Sequence, residues 1–491
     1  MPQYVSFPHD IVDGRNSSFR PTLFEGAVEG HVLVKNTRNA LPLKKPRMLS
    51  IFGYSAKNPD SNGFRPSETS WLTGQESYRL DLGFEETYRG YYDSDTEIQY
   101  AVTGIAPNGT IYSGGGSGAT SQFTAVSPFD ALVARADKDD TALIWDFERD
   151  FPEVNSNSDA CLVFGNAFAT EGYDRPVAYD NHTDGLITRI ASECGNTIVV
   201  LHNAGIRTVD GFVNHPNVTA LFFGHLPGQD SGKAIVSLLY GDSNPSGKLP
   251  YTVARDPAHY PVLHPSSQWD EPSSRFTNFP QSNFTEGSYV DYRHFDLHED
   301  RFEPRYPFGF GLSYTTFAYG NLTIRWRDEA TAVEPGSVAS GRVRAGGPED
   351  LWDVLVDVSA EVENTGAVDG AEVAQLYVNI GDPGGPEWRL RGFDKPFIES
   401  GDKVTVRFEL TRRDLSFWNV NAQKWQLGDV EAMRMFVGGH SRDRDLMGTV
   451  AVAAGESVSV LPSESAAVTS SESVSMTPSK SVSVVPPSQT V

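Results

Sequence analysis

The sequence lacks the features that mark several broad classes of protein. Its longest apolar runs, such as residues 197–201, are far shorter than the ~20 residues that cross a bilayer, so a membrane protein is not expected. Acidic residues outnumber basic ones, with 64 Asp and Glu against 40 Lys and Arg and a formal net charge of −24. Because phosphate binding needs clustered Lys and Arg, nucleic acid is not expected as a partner.

Motifs for cofactors and for common hydrolase sites are also missing. Neither an H-E-x-x-H zinc motif nor a G-x-S-x-G nucleophile elbow occurs among the 491 residues. One Gly-rich stretch, residues 114–119, fits the G-x-G-x-x-A pattern of dinucleotide-binding loops. Such a loop must open a helix, whereas the next helix start in the sequence, Ser127-Pro128, comes eight residues after Ala119. We therefore interpret the stretch as a flexible loop and expect no cofactor and no metal.

Signals for secretion point in opposite directions. The first ten residues, MPQYVSFPHD, have neither the basic start nor the apolar core of a signal peptide. Yet six N-x-Ser/Thr glycosylation sequons are present, at Asn16, Asn108, Asn181, Asn217, Asn283 and Asn321. The two cysteines, Cys161 and Cys194, fit either two buried thiols or one disulfide, and the disulfide is the hypothesis that we carry forward. We expect an extracellular protein whose natural start lies upstream of Met1.

The length and the hydrophobic pattern predict more than one folded region. A chain of 491 residues is expected to form two or three domains at ~150 residues each. From about residue 47, continuous apolar runs alternate with segments in which apolar residues recur at helical spacing. The runs are residues 48–54, 141–147, 160–168, 197–203 and 219–226, and the helical segments are 127–136, 184–194 and 231–240. Because such runs are typical of strands buried on both faces, we predict a doubly wound, mostly parallel α/β sheet.

After about residue 314 the sequence has the period of two that marks half-buried β-strands. Strands are predicted at residues 353–364, 373–380, 403–410 and 430–437, with Asn-Thr-Gly and Pro-Gly-Gly turns between them. Several short strands over ~100 residues indicate an immunoglobulin-like or fibronectin-like sandwich. From residue 451 the chain is rich in Ser, Thr, Val and Pro and is predicted to be a disordered tail.

Candidate functional residues lie in the loops that follow the predicted parallel strands. Ligands of such sheets bind in the crevice beyond the carboxyl ends of the strands. The loop after residues 160–168 contains Glu171, Tyr173, Asp174 and Arg175. From composition alone, Glu171 is most simply a solvated loop acid paired with Arg175. In a later loop, Asp230 or Ser231 is predicted to cap the helix that follows.

Seven segments of the sequence resemble fungal β-glucosidases of glycoside hydrolase family 3. They are residues 32–43 (VLVKNTRNALPL), 161–175 (CLVFGNAFATEGYDR), 197–205 (TIVVLHNAG), 214–230 (NHPNVTALFFGHLPGQD), 238–251 (LLYGDSNPSGKLPY), 286–296 (EGSYVDYRHFD) and 308–317 (FGFGLSYTTF). The resemblance spans roughly residues 25–445 and corresponds to the part of these enzymes that follows their catalytic barrel. It implies an α/β sandwich followed by a fibronectin type III-like domain, in agreement with the hydrophobic pattern.

The resemblance also implies a division of the chain. Residues 1–45 are expected to be a linker left from the barrel, residues 46–262 the α/β sandwich and residues 263–313 an irregular connecting segment. Residues 314–450 are expected to form the fibronectin type III-like domain, and residues 451–491 the tail.

The chemistry that the resemblance implies centres on one carboxyl group. Retaining glycosidases place two carboxyl groups about 5–5.5 Å apart, one as nucleophile and the other as acid/base. The family's acid/base glutamate aligns with Glu171, which is therefore expected to donate a proton to a β-glucoside or oligosaccharide substrate. Its neighbours Tyr173, Asp174 and Arg175 are expected to contact that substrate.

The second carboxyl group has no counterpart in this sequence. The family's nucleophile is an aspartate in a Ser-Asp-Trp tripeptide on the preceding barrel, and that tripeptide does not occur among the 491 residues. A (β/α)₈ barrel needs ~250 residues, whereas about 45 precede the predicted sheet. We therefore expect a β-glucosidase-type hydrolase that is inactive as this chain alone. A non-catalytic carbohydrate-binding or cell-wall-associated protein is the alternative, and the oligomeric state stays open.

Overall fold

The computed structural model describes residues 15–59, 104–107, 109–115, 124–169, 175, 177–261, 284–327, 334, 336–450 and 458–460. These residues form an α/β region followed by a β-sandwich. The fold class predicted from the sequence is therefore confirmed.

The α/β region is built around a six-stranded sheet. Its strands are β1 (Val32–Asn36), β2 (Met48–Phe52), β3 (Ala142–Asp146), β4 (Ala160–Ala167), β5 (Thr197–Asn203) and β6 (Val218–Phe223). Across the sheet they lie in the order β1-β6-β5-β4-β2-β3. All neighbours run parallel except β1, which pairs antiparallel with β6. The parallel strands therefore end at one common side of the sheet, which we call the carboxyl edge.

Helices cover both faces of this sheet. They are α1 (Arg20–Gly30), α2 (Pro128–Asp139), α3 (Asn181–Glu193) and α4 (Ser231–Tyr240), and short 3₁₀ turns lie at Ser17–Phe19, Tyr54–Ala56, Gly228–Asp230 and Pro257–His259. Buried residues of α1, α2 and α4 share one hydrophobic core with Leu162 and Phe164 of β4, whereas those of α3 share a second core with Val163. Alternate side chains of β4 thus enter opposite cores, which explains its continuous apolar run.

The predicted start of α2 is confirmed by its capping geometry. The Asp130 backbone N–H donates to the Ser127 hydroxyl at 3.2 Å, and the Ser127 N–H donates to the Asp130 carboxylate at 3.1 Å. This reciprocal arrangement is a capping box, and Pro128 follows at the first helical position. Local sequence is therefore sufficient to fix where this helix begins.

The predicted amino-terminal boundary of the α/β region is wrong. Residues 1–45 were expected to be a linker and the region to begin at residue 46, but β1 is an edge strand of the sheet and α1 packs on it. Val32 and Leu33 pair with Phe223 and Phe222 of β6 and are fully buried. The short apolar segment at residues 32–36 does not by itself indicate a strand, because its pairing partner β6 lies far along the chain.

One predicted strand has a different environment from the one expected. The run at residues 141–147 forms β3, but β3 lies at the sheet edge instead of being buried on both faces. Trp145 is 53% exposed, and Phe129 of α2 packs against it at 5.0 Å between ring centroids. Composition does not distinguish an edge strand from a central one when aromatic residues cover the exposed side.

The second region is the predicted β-sandwich. Its strands are β7 (Phe317–Trp326), β8 (Val343–Arg344), β9 (Gly347–Pro348), β10 (Val354–Asn364), β11 (Gly370–Ala371), β12 (Ala374–Asn379), β13 (Arg389–Asp394), β14 (Phe397–Ile398), β15 (Lys403–Thr411), β16 (Ser416–Asn419), β17 (Lys424–Leu427), β18 (Arg434–Gly438), β19 (Met447–Thr449) and β20 (Val458–Val460). Two four-stranded sheets, β15-β10-β7-β20 and β13-β12-β18-β19, share one core, and short 3₁₀ turns lie at Glu349–Trp352 and Val430–Ala432.

The alternating pattern of β10 explains how the sandwich core forms. Val356, Val358, Ala360 and Val362 are all buried, and the residues between them are only partly covered. Across the core they meet residues of β12 such as Leu376. Burying a Val or Leu side chain contributes ~1.5–3 kcal/mol, so this period-two pattern alone supplies much of the driving force for sandwich formation.

The described part of the predicted connecting segment joins the two regions by direct contacts. It contains a short helix, α5 (Tyr292–Leu297), so it is less irregular than expected. Asp296 of α5 pairs with Arg442 at 3.1 Å and Arg444 at 3.0 Å, both from the sandwich. Burial raises the pKa of Asp296 to about 6, against the opposing effect of the two guanidinium groups.

The carboxyl-terminal tail departs from expectation at one point. Residues 458–460 form β20, which pairs antiparallel with β7 at the edge of a sandwich sheet. The other residues of the predicted tail, 451–457 and 461–491, lie outside the described part of the chain.

Candidate functional site

The carboxyl edge of the α/β sheet is the candidate site because buried polar side chains converge there. β2, β4, β5 and β6 all end at this edge. At the end of β2 the chain turns away through Gly53, whose φ is +91° and whose added Cβ would meet the Phe164 carbonyl oxygen at 2.1 Å. Only glycine fits this turn, and the residues after it, Tyr54 and Ser55, are fully buried.

His202, near the end of β5, links three other segments at this edge. Its Nδ1 lies 3.1 Å from the Ser55 hydroxyl and 3.2 Å from the Thr110 hydroxyl. Its Nε2 lies 3.3 Å from the hydroxyl of Ser231, the first residue of α4. Burial lowers the pKa of His202 to about 3, with a further contribution from His31, so the imidazole is neutral near pH 7. A neutral ring can donate at one nitrogen and accept at the other, which suits this role as a hydrogen-bonding centre.

A second chain of hydrogen bonds runs beside the first. The His225 Nδ1–H donates to the Gly30 carbonyl at 2.8 Å, which leaves its Nε2 to accept from the Tyr251 hydroxyl at 2.8 Å. The Tyr251 oxygen in turn accepts from the Asn203 amide at 2.6 Å. Among the described residues, the Asn203 carbonyl oxygen is buried and has no hydrogen-bond partner. Such atoms also occur in the sandwich, so the carboxyl edge is distinguished by the convergence of these polar side chains and not by the unpartnered oxygen alone.

Arg175 fixes the end of the loop that follows β4. Its Nη2 donates to the carbonyl oxygens of Ala204 at 3.1 Å and Ile206 at 2.6 Å, just beyond β5. Burial lowers its pKa, and the neighbouring Arg207 lowers it further. Since arginine stays protonated under ordinary conditions, Arg175 places a partly buried positive charge at the carboxyl edge.

Arg207 completes the charge arrangement at this edge. It is 1% exposed and pairs with Asp180 at 2.9 Å and with Asp184 at 2.5 Å. Asp180 also caps α3, since its carboxylate accepts from the Thr183 N–H at 2.6 Å. Desolvation raises the pKa of Asp184, while the charge of Arg207 opposes that shift. The cluster ties α3 to the loop after β5.

The structure describes one of the four site residues predicted from the sequence. Arg175 lies at the carboxyl edge, whereas Glu171, Tyr173 and Asp174 lie outside the described residues. Two residues that flank Glu171 in the chain are described, Ala169 and Arg175. The Ala169 carbonyl accepts from the Gly115 N–H at 3.4 Å, and residues 116–119 of the Gly-rich stretch also lie outside the described part.

The capping prediction for α4 is wrong. Neither side chain caps the helix: the Asp230 carboxylate accepts from Lys233 at 2.6 Å, and the Ser231 hydroxyl faces His202. The local motif resembles a cap, but the Ser231 hydroxyl contacts His202 of β5 and the Asp230 carboxylate pairs with Lys233. Neither oxygen is therefore directed at the backbone N–H groups of the helix.

Several residues of the site can be recognised in the sequence as polar residues at the ends of apolar runs. The apolar runs that become β4, β5 and β6 end in polar residues, namely Asn166, His202-Asn203 and His225. A polar residue at or just after the carboxyl end of a buried strand places hydrogen-bonding atoms at the carboxyl edge. The convergence of these residues also requires the strand order, which the sequence does not display.

The structure also brings together a pair of histidines in the connecting segment. His294 and His298 are four residues apart around α5, with ring centroids 4.8 Å apart. In the part of the chain that the structure describes, no group of three or more His, Cys, Asp or Glu side chains has a metal-binding arrangement. The pair therefore gives no support for a metal centre.

The disulfide lies away from the carboxyl edge, and three of the four described sequon asparagines are exposed. Cys161 and Cys194 are joined by a disulfide that links the start of β4 to the residue after α3. Asn16, Asn181 and Asn321 are exposed, whereas Asn217 is half-buried and its amide donates to the Ala191 carbonyl at 2.9 Å. Asn108 and Asn283 lie outside the described residues.

No helix among the described residues is long and apolar enough to cross a membrane.

Comparisons with known proteins agree with this architecture. Residues 31–314 match the glycosyl hydrolase family 3 C-terminal domain, and residues 372–441 match the fibronectin type III-like domain. A probable beta-glucosidase M from Aspergillus niger is 47% identical over 456 residues, which cover 92% of this chain and 54% of that protein. Beta-glucosidase cel3A from Pyricularia oryzae is 46% identical over 443 residues, which cover 89% of this chain and 53% of that protein.

Solved structures show the same relation. The crystal structure of beta-D-glucoside glucohydrolase from Trichoderma reesei superposes with a TM-score of 0.71 at 31% identity, over 90% of this chain and 57% of that one. The chain spans about half the length of the relatives that it matches. Since the C-terminal domain match covers more than half of the 491 residues, the chain belongs to glycoside hydrolase family 3.

Proposed function

We propose that this chain supplies the acid/base portion of a retaining β-glucosidase site, with Glu171 as the proton donor. The observation that carries the proposal is the convergence of buried polar groups at the carboxyl edge, where the loop containing Glu171 is attached at both ends. In open α/β sheets ligands bind beyond the carboxyl ends of the strands, which supports a substrate position at the same edge.

Chain connectivity supports the placement of Glu171 at this edge. Glu171 is two residues after Ala169 and four before Arg175 in the sequence. Consecutive Cα atoms are ~3.8 Å apart, so a connection of two residues to Ala169 supports a position of Glu171 near this edge. The Arg175 guanidinium is held by the Ala204 and Ile206 carbonyls, which fixes the far end of the same short loop.

The buried groups at this edge are not suited to perform the proton transfer themselves. The imidazole of His202 is neutral and enclosed, so it is a poor proton donor near pH 7. A carboxylic acid whose pKa is raised by dry surroundings is the usual donor to a glycosidic oxygen. Glu171 is the carboxyl group of the loop that we assign to this role, and Tyr173 and Asp174 are proposed to contact the sugar.

The nucleophile must come from outside these 491 residues. Retaining hydrolysis needs a second carboxylate about 5–5.5 Å from the first, and the Ser-Asp-Trp tripeptide of the family is absent from the sequence. We therefore propose that the chain does not hydrolyse β-glucosides by itself. We also propose an extracellular location, which the disulfide and the exposed sequons support.

The proposal is tested with a chimera in which the unmatched portion of the Aspergillus niger relative is joined before residue 1. Glu171→Gln in this chimera should lower kcat/KM on cellobiose by ~10²–10⁴-fold, because the departing sugar needs a proton. The loss of kcat/KM on 4-nitrophenyl β-glucoside should be much smaller, because nitrophenolate leaves without protonation and kcat/KM does not include the later step in which Glu171 would act as base. Glu153→Gln, at an exposed glutamate of the same region, is the matched control and should leave both rates unchanged. Equal losses of Glu171→Gln on the two substrates, or no loss, would refute the assignment.

A further inference from the structure

A groove on the β-sandwich has the composition of a second ligand site. It lies beside the β16–β17 hairpin and has a volume of about 700 Å³. The lining residues are Gly336, Gly381, Pro383, residues 417–421 and residues 426–429. This volume is in the range of small-ligand sites, which run from about 300 to 1,000 Å³.

The groove follows the hairpin because β16 has a free side. Among the described strands, β16 pairs with β17 and with no other strand. Five consecutive residues, 417–421, therefore line the groove one after another. An open side next to a single strand leaves room for an extended ligand to lie along it.

Aromatic side chains provide apolar contact surface in this groove. Trp418 is 44% exposed, and across the hairpin it faces Trp425 with 5.8 Å between ring centroids. Phe417 is half-buried and packs against the sandwich core. The edge-on contact with Trp425 holds the Trp418 indole in place, so a ligand that stacks on it loses little side-chain freedom.

Polar groups in the groove include hydrogen-bond donors and acceptors that have no partner among the described residues. Within the described residues, the Asn421 side chain makes no hydrogen bond, and the Gln426 amide accepts from Asn419 but donates to nothing. One oxygen of Asp429 accepts from the Glu431 N–H at 3.2 Å, and the other has no hydrogen bond to the described residues. Free donors and free acceptors side by side match sugar hydroxyls, since each hydroxyl both donates and accepts.

The charge of the groove restricts the class of ligand. Of the described residues that line it, Asp429 alone is charged, and none is Lys or Arg. Anionic ligands such as phosphates or uronic acids are therefore disfavoured, and a neutral polyhydroxyl compound is favoured. An added peptide strand is less suitable, because β16 has four residues whereas typical strands have about five or six.

We infer that this groove binds a neutral glucan chain at a site separate from the carboxyl edge. The choice of a β-linked glucan rests on the proposed function, whereas the preference for a neutral sugar rests on the groove itself. Such a site would hold the chain on the polysaccharide from which its substrate is derived.

The experiment measures binding of cellohexaose, laminarihexaose and maltohexaose to the full 491-residue chain by titration calorimetry. Trp418→Ala and Asn421→Ala should each weaken binding of the preferred β-linked hexaose by roughly tenfold, an amount that corresponds to ~1.4 kcal/mol. Trp352→Ala is the matched control for the indole, since Trp352 is also 44% exposed and lies outside the groove. Asn157→Ala, at an exposed asparagine in the α/β region, is the control for the amide.

The experiment distinguishes failure of glucan binding at the groove from failure of the role proposed for Glu171. Glu171→Gln should leave hexaose binding at the groove unchanged, so loss of binding in that variant would assign the site to the carboxyl edge and overturn the inference. Absence of binding by the unaltered chain, or equal weakening by Trp352→Ala, would also overturn it. So would Trp418-dependent self-association in sedimentation without hexaose binding, because the occupant would then be a second copy of the chain.

Discussion

The two folded regions bury their polar groups in different ways. In the α/β region, His31, His202 and Asn203 are buried near one edge of one sheet, and some of their polar atoms have no partner among the described residues. In the sandwich, buried charges form local ion pairs, such as Arg389 with Asp382 at 2.6 Å, and one Arg389 nitrogen also has no partner among the described residues. Unpartnered buried atoms therefore occur in both regions, and the difference is that the buried polar groups of the α/β region converge at one edge of its sheet. This convergence supports the α/β region as the proposed place of the chemistry, beside a sandwich with a packed core and a surface groove.

The largest expected effect concerns the buried ion cluster of the α/β region. Arg207→Met leaves Asp180 and Asp184 without their partner and should lower the free energy of unfolding of this region by ~3–5 kcal/mol. Arg325→Met removes an exposed pair with Asp357 in the sandwich and should change stability by ~0–1 kcal/mol. Urea unfolding followed by circular dichroism measures both. Comparable losses in the two variants would remove the contrast between the regions.

The next effect is that of the disulfide, which lies wholly within the α/β region. Cys161 and Cys194 are 33 residues apart in sequence, and closing a loop of this length is worth ~3–4 kcal/mol. The Cys161→Ser/Cys194→Ser double variant should therefore unfold its α/β region at lower denaturant concentration and leave the sandwich transition in place. Intact mass under non-reducing conditions checks the premise, and two free thiols there would rule out the disulfide.

Acid should affect the two regions differently. Burial lowers the pKa of His31 from its ordinary 6.5 to about 4 and that of His202 to about 3. The unfolded chain therefore takes up protons between pH 6.5 and 4 that the folded chain excludes, and stability falls as the pH falls through this window.

We expect the α/β region to lose stability over that range, and the sandwich to lose less, because its single histidine, His440, is the one imidazole there whose pKa burial lowers. His202→Gln should flatten the dependence of the α/β transition on pH. Urea midpoints at pH 4, 5, 6 and 7 measure it, and an α/β transition that does not move with pH contradicts the assignment of neutral, buried imidazoles.

Much of the fold could be predicted because its signals are local. The helix over Ser231–Tyr240 was bounded correctly from periodicity, and β5 (Thr197–Asn203) from its apolar run. β1 was missed because its identity as a strand depends on β6, nearly two hundred residues later in the chain. The exposure of β3 depends on its place at the end of the strand order, which no local pattern reveals.

The candidate site was less predictable than the fold. His202, Asn203 and His225 meet because β5 and β6 are neighbours in the sheet, which is a property of topology and not of spacing. Ser231 was misassigned as a helix cap because its actual neighbour, His202, is brought to it by tertiary packing. The role of Glu171 came from family resemblance and remains a prediction, since residues 170–174 lie outside the described part of the chain.

The central claim is that these 491 residues hold the proton donor of the site and lack its nucleophile. The most direct test is the hydrolysis of 4-nitrophenyl β-glucoside by the purified chain alone and by its Glu171→Ala variant. The account predicts no turnover above the uncatalysed rate for either protein. Measurable turnover by the unaltered chain, whether or not Glu171→Ala abolishes it, would contradict it.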